Sequence, residues 1–331
     1  MGGLGVQVFF ILSGFLITRS RVHSPTTGRF VWKRILRIYP AYAASIIVVA
    51  LAIAPFFSEK SISAYCLDRS LWHGIFHGLI FSYKYYYVIG VEFYSDPSNL
   101  GSVLNGVLWT LQTEVLLYIG VAILFALEAL RAWVVLSIAI IAVFARLADA
   151  YIYINIADTI FLNFWGLSYG APGFFAGAFL YLLFRKHEPS TDIALVLASL
   201  AIGLLLVDTS VLLPFSADGT KLFPALADYS VIWLGFHPTP IPGQAMRFGD
   251  LSYGIYVFGW PVQQTTRAIL GDGLSGEMFF LACMPAIVLA AMASWRWIEE
   301  PPLRLKDLSH RRTYDHPQEI PAAGEQPNAG S

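Results

Sequence analysis

Glu114 sits in the middle of VLNGVLWTLQTEVLLYIG, an apolar run in which an ionised carboxylate is costly. An acid kept at membrane depth faces a bundle interior or a wet cavity. It suits proton transfer, or the holding of another catalytic group. Trp109 lies five residues earlier, and Gln112 and Thr113 add polar groups beside it. The alternative is a neutral, hydrogen-bonded Glu that ties helices together.

A second candidate is KRILRIYPAY, residues 33–42, where Lys33, Arg34 and Arg37 precede a long apolar run. Arg34 and Arg37 are three apart and share one face of a helix. The planar guanidinium fork matches phosphate oxygens. The surrounding loop, 19–40, carries Arg19, Arg21, Arg29, Lys33, Arg34 and Arg37 and no acidic residue, so the pair has no counter-ion there and is free for an outside anion. A topology anchor at a membrane surface is the equal alternative.

Other stretches carry less. His73 and His77 in HGIFH are four apart, a spacing that ligates metal, but nothing at ligand spacing completes a site. They read as part of a short interfacial helix, and no metal is expected. Cys66 and Cys283 are far apart and form no CxxC pair. In LSYGIYVFGWPVQQ, residues 251–264, Asp250 is a candidate N-cap and Pro261 frees a backbone carbonyl. Tyr253, Tyr256, Trp260, Gln263 and Gln264 then offer polar groups at membrane depth, with ordinary helix packing as the alternative. GxSxG, P-loop and GxGxxG devices are absent from the sequence.

The elements that must position these residues are apolar helices. Of 331 residues, 56% are hydrophobic and 13% charged, against roughly 25% charged in an ordinary soluble domain. The pattern predicts an all-α, polytopic transmembrane helix bundle. The net charge of −1 and the lack of a broad basic patch exclude a nucleic-acid partner. Nine spans are expected, near 4–18, 41–57, 103–127, 132–148, 159–184, 193–213, 224–236, 250–270 and 278–298. The stretch 71–83 is too short to cross and is expected as an interfacial or re-entrant helix before an outer loop.

The positive-inside rule puts the basic 19–40 stretch in the cytoplasm. Alternation then places 58–102 outside, Arg185-Lys186-His187 inside, and the tail with Arg304, Lys306, Arg311 and Arg312 inside. Nine spans ending in the cytoplasm put Met1 outside, although only MGG precedes the first span. One further helix upstream would bring both ends inside. The expected organisation is an integral membrane domain over 1–308 and a disordered cytoplasmic tail over 309–331, rich in Pro, Gly and Ala.

Five stretches together resemble the acyltransferase-3 family of integral membrane acyltransferases. VQVFFILSGFLITR (7–19) is similar to the family's second helix, and FVWKRILRIYPAY (30–42) to its R-x-x-R-hydrophobic-Y-P element. LWTLQTEVLLYI (108–119) resembles its W-x-L-x-x-E-x-x-x-Y helix. LSYGIYVFGWP (251–261) and WRWIEEPPLRL (295–305) resemble its last two helices. The matches run in family order.

The resemblance implies a ten-helix bundle in a bacterial inner membrane with a cytoplasmic C-terminus. It implies an acyl-CoA donor, with acetyl-CoA expected, and O-acetylation of a hydroxyl on a cell-envelope carbohydrate. Arg34 and Arg37 take the family's role of holding CoA phosphates, and Glu114 that of its intramembrane acid. Trp109, Tyr253 and Gln263 are the expected substrate-facing residues. The family's proposed catalytic His lies upstream of the LSGF motif, so the resemblance implies that this base is absent and that transfer by residues 1–331 is weak or absent. Gly259 also stands where many members carry a His. The other reading is a catalytically inactive family remnant, or a membrane carrier of an envelope precursor. Six tyrosines over the outer stretch (Tyr65, Tyr83, Tyr85, Tyr86, Tyr87 and Tyr94) are available to stack on sugar rings.

Overall fold

The structure is a computed structural model, and it describes residues 2–82, 90–95, 100–149, 164–206, 223–236 and 249–305. Tyr83, Tyr85, Tyr86, Tyr87, Lys306, Arg311, Arg312 and the tail 309–331 lie outside these. The described residues are helical, with no strand; one antiparallel bridge joins Ser58 and Val91.

Eleven α-helices follow one another. They are α1 (Gly2–Val22), α2 (Thr27–Val48), α3 (Ile62–Cys66), α4 (Arg69–Leu79), α5 (Leu108–Ala126), α6 (Ala132–Asp149), α7 (Phe164–Phe184), α8 (Thr191–Leu206), α9 (Phe223–Phe236), α10 (Ser252–Leu270) and α11 (Gly276–Ser294). A π turn, Val49–Ile53, and a 3-10 turn, Ala54–Phe57, prolong α2. A π turn, Trp295–Glu299, prolongs α11.

A helix stands at each of the nine expected places, but nine crossings are not shown. Among the described residues, five helices are long and apolar enough to cross a membrane: Gly5–Val22, Thr27–Phe57, Leu108–Ala126, Gly166–Phe184 and Gly276–Leu305. The apolar parts of α6 and α8, Ala132–Arg146 and Thr191–Leu200, are shorter. In α10 the run Gln263-Gln264-Thr265-Thr266-Arg267 dilutes the hydropathy.

The basic stretch differs from the loop expected over 19–40. Arg19 and Arg21 are in the last turn of α1, and α2 already begins at Thr27. Two local signals explain the early start. The Thr26 hydroxyl caps the helix by accepting from the Arg29 N–H at 3.2 Å. The buried residues Phe30, Ile38, Ala41, Tyr42, Ser45 and Ile46 recur at helical spacing, so KRILRIYPAY is amphipathic helix throughout.

The short helix expected over 71–83 is α4. Asp68 caps it, accepting from the Ser70 N–H at 2.8 Å. Tyrosines tie this segment to α2. The Tyr42 hydroxyl donates to the Gly78 carbonyl at 2.7 Å, and the Tyr65 hydroxyl donates to the Ala50 carbonyl at 2.9 Å. Tyr65 is therefore buried and engaged, not open to a sugar ring. The Tyr94 ring carries the Arg267 guanidinium 4.4 Å from its centroid. His73 and His77 lie together, with their Nε2 atoms 3.0 Å apart.

Pro261 has no N–H, so the Val257 carbonyl one turn earlier has no helical donor. Asn105, fully buried, donates its Nδ2 to that carbonyl at 3.0 Å. The carbonyl expected to be freed by proline thus joins α10 to the segment leading into α5. Asp250 is one residue short of the cap position, which is Leu251. Its Oδ1 still accepts from Ser252, from Oγ at 2.5 Å and from the N–H at 3.3 Å.

The most extensive helix pairing is α1 on α7, and glycine makes it possible. A Cβ at Gly14 would lie 1.8 Å from the Phe174 carbonyl oxygen, and one at Gly177 would lie 2.1 Å from that of Ile11. Close backbone approach through small residues is a recurrent means of joining helices in lipid. Gly14→Ala would raise helix propensity by about 1 kcal/mol if propensity decided the matter. Overpacking opposes it and costs about 1–3 kcal/mol. The expected result is a lower Tm for the detergent-solubilised protein; a raised Tm would show that α1 and α7 do not meet there.

Candidate active site

The chemistry-bearing groups converge where α1, α2, α5 and α10 meet. Glu114 is 5% exposed on α5. Its Oε1 accepts from the Ser13 hydroxyl at 2.8 Å and from the Tyr118 hydroxyl. The Ser13 and Tyr118 oxygens are themselves 3.3 Å apart. Glu114 and Tyr118 are four apart and so share a helix face. Ser13 comes from the LSGF stretch of α1, placed against α5 while its neighbour Gly14 meets α7. Ser13 and Tyr118 are site members that inspection of individual residues passes over. The i, i+4 spacing signals Tyr118, but nothing local signals Ser13.

The cations lie nearby, on α2. Arg34 and Arg37 are both within electrostatic reach of Glu114. Their surroundings differ. Arg37 has acidic partners that the local sequence does not show. Its Nη2 is 2.6 Å from Asp250 Oδ2, and its Nη1 is 3.5 Å from Glu299 Oε2. Glu299 is 1% exposed and also accepts from the Ser294 hydroxyl at 2.8 Å. The guanidinium lies 5.6 Å from the Tyr253 ring centroid and 6.0 Å from that of Trp295. Arg37 is therefore not free: it ties α2 to the start of α10 and to the end of the α11 helix. Among the described residues Arg34 donates to the Ser20 hydroxyl alone, at 3.1 Å.

A cavity of about 350 Å³ runs between α2 and α5. Its walls are apolar, including Phe30, Ile35, Ile38 and Ile119, while Arg34 and Tyr118 also line it. Both residues border it almost wholly through carbon, so the cavity is an apolar groove that passes Arg34 and Tyr118.

The remaining expected residues are placed unequally. Tyr253 stands close, its hydroxyl donating to the Ile38 carbonyl at 2.8 Å. Trp109 lies on the α1–α7 side, with ring centroids 6.5 Å from Phe10 and 5.6 Å from Tyr169. Gln263 is exposed, about 15 Å along the α10 axis from Tyr253. Its neighbour Gln264 points inward and donates to the carbonyls of Leu100 at 2.6 Å and Val103 at 3.0 Å.

A family model described as an acyltransferase domain matches residues 1–296. The chain belongs to the acyltransferase-3 family. Three relatives are similar to this acyltransferase along most of its length. Nodulation protein 10 of Rhizobium leguminosarum bv. viciae is 29% identical over 328 residues, covering 91% of this chain and 82% of that protein. An O-acetyl transferase of Shigella phage Sf6 is 27% identical over 302 residues, covering 90% and 84%. The peptidoglycan O-acetyltransferase OatA of Listeria monocytogenes serovar 1/2a is 25% identical over 334 residues, covering 91% of this chain and 51% of that protein. No solved structure matches the acyltransferase. With its apolar helices and this family, it is an integral membrane transferase of acyl groups other than aminoacyl groups.

Proposed function

We propose that this acyltransferase moves an acetyl group from acetyl-CoA to a hydroxyl of a cell-envelope carbohydrate. The observation that carries the reading is an apolar cavity bordered by both Arg34 and Tyr118, with the Tyr118 hydroxyl bonded to Glu114. The two O-acetyl transferases among the relatives support the acetyl group and the oxygen acceptor. Arg34 and Arg37 face the donor's phosphates, with Arg34 carrying the larger share because Asp250 and Glu299 already answer Arg37.

The step is an acyl transfer. The acceptor hydroxyl oxygen attacks the thioester carbonyl, the new C–O bond forms and the C–S bond breaks. The hydroxyl proton must leave, and the thiolate must gain a proton. Glu114 is the group placed to take part in that exchange, held in position by Ser13 and Tyr118. Trp109, Tyr253 and Gln263 contribute to holding the substrates. The basic ends of α1 and α2 face the cytoplasm, where CoA is found, and the C-terminus lies on the same side. The full set of nine spans, the 1–308 domain and the 309–331 tail belong to this reading.

The test is transfer from [14C]acetyl-CoA in membranes containing the chain. Alkali-labile label in the envelope carbohydrate, dependent on the chain, is expected. Label stable to alkali would overturn the O-acetyl reading.

A further inference from the structure

Two guanidiniums, on α1 and α2, have no acid among the described residues to answer them. Among the described residues, neither Arg21 nor Arg34 forms an ion pair. Glu114 acts on Arg34 only at a distance and is itself engaged by Ser13 and Tyr118. Arg21 closes α1 and is 3% exposed. Its Nη1 donates to the Ser24 carbonyl at 3.2 Å and its Nη2 to the Thr27 hydroxyl at 2.8 Å. Its guanidinium lies 3.7 Å from the Phe125 ring centroid. The Nε of Arg21 and that of Arg34 are both buried without an acceptor.

The two cations meet on one ring. The Arg21 guanidinium is 5.8 Å from the Phe30 centroid and the Arg34 guanidinium is 6.0 Å from it. Ring faces, two hydroxyls and a carbonyl supply partial charge only. The C-terminal dipole of α1 adds about half an elementary charge of the favourable sign. That leaves well over one positive charge uncompensated in a largely apolar setting, which is costly unless an anion arrives. Thr27 and Arg34 both line the α2–α5 cavity, so an anion there opens onto an apolar trough.

We propose that Arg21 and Arg34, with the hydroxyls of Ser20 and Thr27, cradle the diphosphate of the acyl donor, whose uncharged arm lies in the α2–α5 cavity. A diphosphate brings two negative charges to two guanidinium forks, and each fork can bind bidentately. Arg21, outside the R-x-x-R pair, is then a donor-binding residue. The inference rests on the acetyl-CoA reading above.

The experiment is equilibrium binding of [14C]acetyl-CoA to the chain in nanodiscs, with inorganic pyrophosphate as competitor. It compares the parent with Arg21→Gln, Arg21→Lys and Arg34→Gln, and a thermal melt checks that each variant is folded. Pyrophosphate is expected to displace acetyl-CoA. Arg21→Gln and Arg34→Gln each weaken acetyl-CoA about tenfold or more, as loss of a charge-assisted pair implies. Arg21→Lys, which keeps the charge and loses the fork, falls between. Parent-like affinity in both Arg21 variants, with Arg34→Gln weakened, would overturn the cradle and leave the donor reading intact. Pyrophosphate binding that depends on Arg21 without any acetyl-CoA binding would uphold the diphosphate site and remove the donor reading. No binding of either by the parent would overturn both.

Discussion

Glu114→Gln lowers acetyl transfer about 100-fold or more relative to the parent chain, the lower range for loss of a general acid–base group. Acetyl-CoA affinity stays within about twofold, because the donor's charged end is held by guanidiniums and not by the acid. Glutamine keeps the size of the side chain and one oxygen, which continues to accept from Ser13 and Tyr118. It cannot take a proton. The conservative change therefore separates chemistry from packing. Glu114→Ala goes further, since two buried hydroxyls lose their acceptor at about 1–3 kcal/mol each. Its Tm falls, whereas that of Glu114→Gln is nearly retained. Rates and melts measured together check the pair. A Gln variant with parent-like transfer would make Glu114 a structural tie between α1 and α5.

Arg34→Ala and Arg37→Ala differ in kind. Arg34→Ala weakens acetyl-CoA binding by about 10- to 100-fold, the worth of a charge-assisted contact of about 1.5–3 kcal/mol. It does not lower the stability of the unliganded chain, because Arg34 gives up a single hydrogen bond to Ser20 together with a charge that no acid answers. Arg37→Ala strips Glu299 of its cationic partner inside the bundle. Breaking a buried pair costs about 3–5 kcal/mol, and the part-exposure of Arg37 and Asp250 moves this toward the lower end. The Tm of Arg37→Ala thus falls clearly, with a smaller direct effect on the donor. The double variant combines both losses yet inserts normally, because Arg19, Arg21, Arg29 and Lys33 still mark the basic side. Binding isotherms and melts on the three variants give the comparison. Equal stability of the two single variants would show that the α2–α10–α11 tie contributes nothing.

What the sequence makes legible is local. Long apolar runs announce helices at nine places, and a carboxylate within one of them announces Glu114. Tyr118 is legible by its spacing from Glu114. Ser13 is not, because 101 residues separate it from Glu114 and only the packing of α1 on α5 brings the two together. The charge balance of the basic segment misleads for the same reason. No acid lies near Arg37 in the chain, yet its partners are 213 and 262 residues away. Gln263 and Gln264 show a third limit. Adjacent residues on a helix point about 100° apart, and an apolar helix with two neighbouring glutamines does not reveal which one faces inward. The structure turns Gln264 in and Gln263 out. Among the described residues the crossing count falls short of nine because the apolar parts of α6 and α8 are short, α9 has 14 residues, and α10 carries polar groups along its own length.

The most direct test is a structure of the acyltransferase in nanodiscs saturated with acetyl-CoA. Density is expected for the donor's phosphates at Arg34, for its arm in the α2–α5 cavity, and for its thioester beside Tyr118 and Glu114. An empty α2–α5 cavity, with the donor bound elsewhere or not at all, would contradict it.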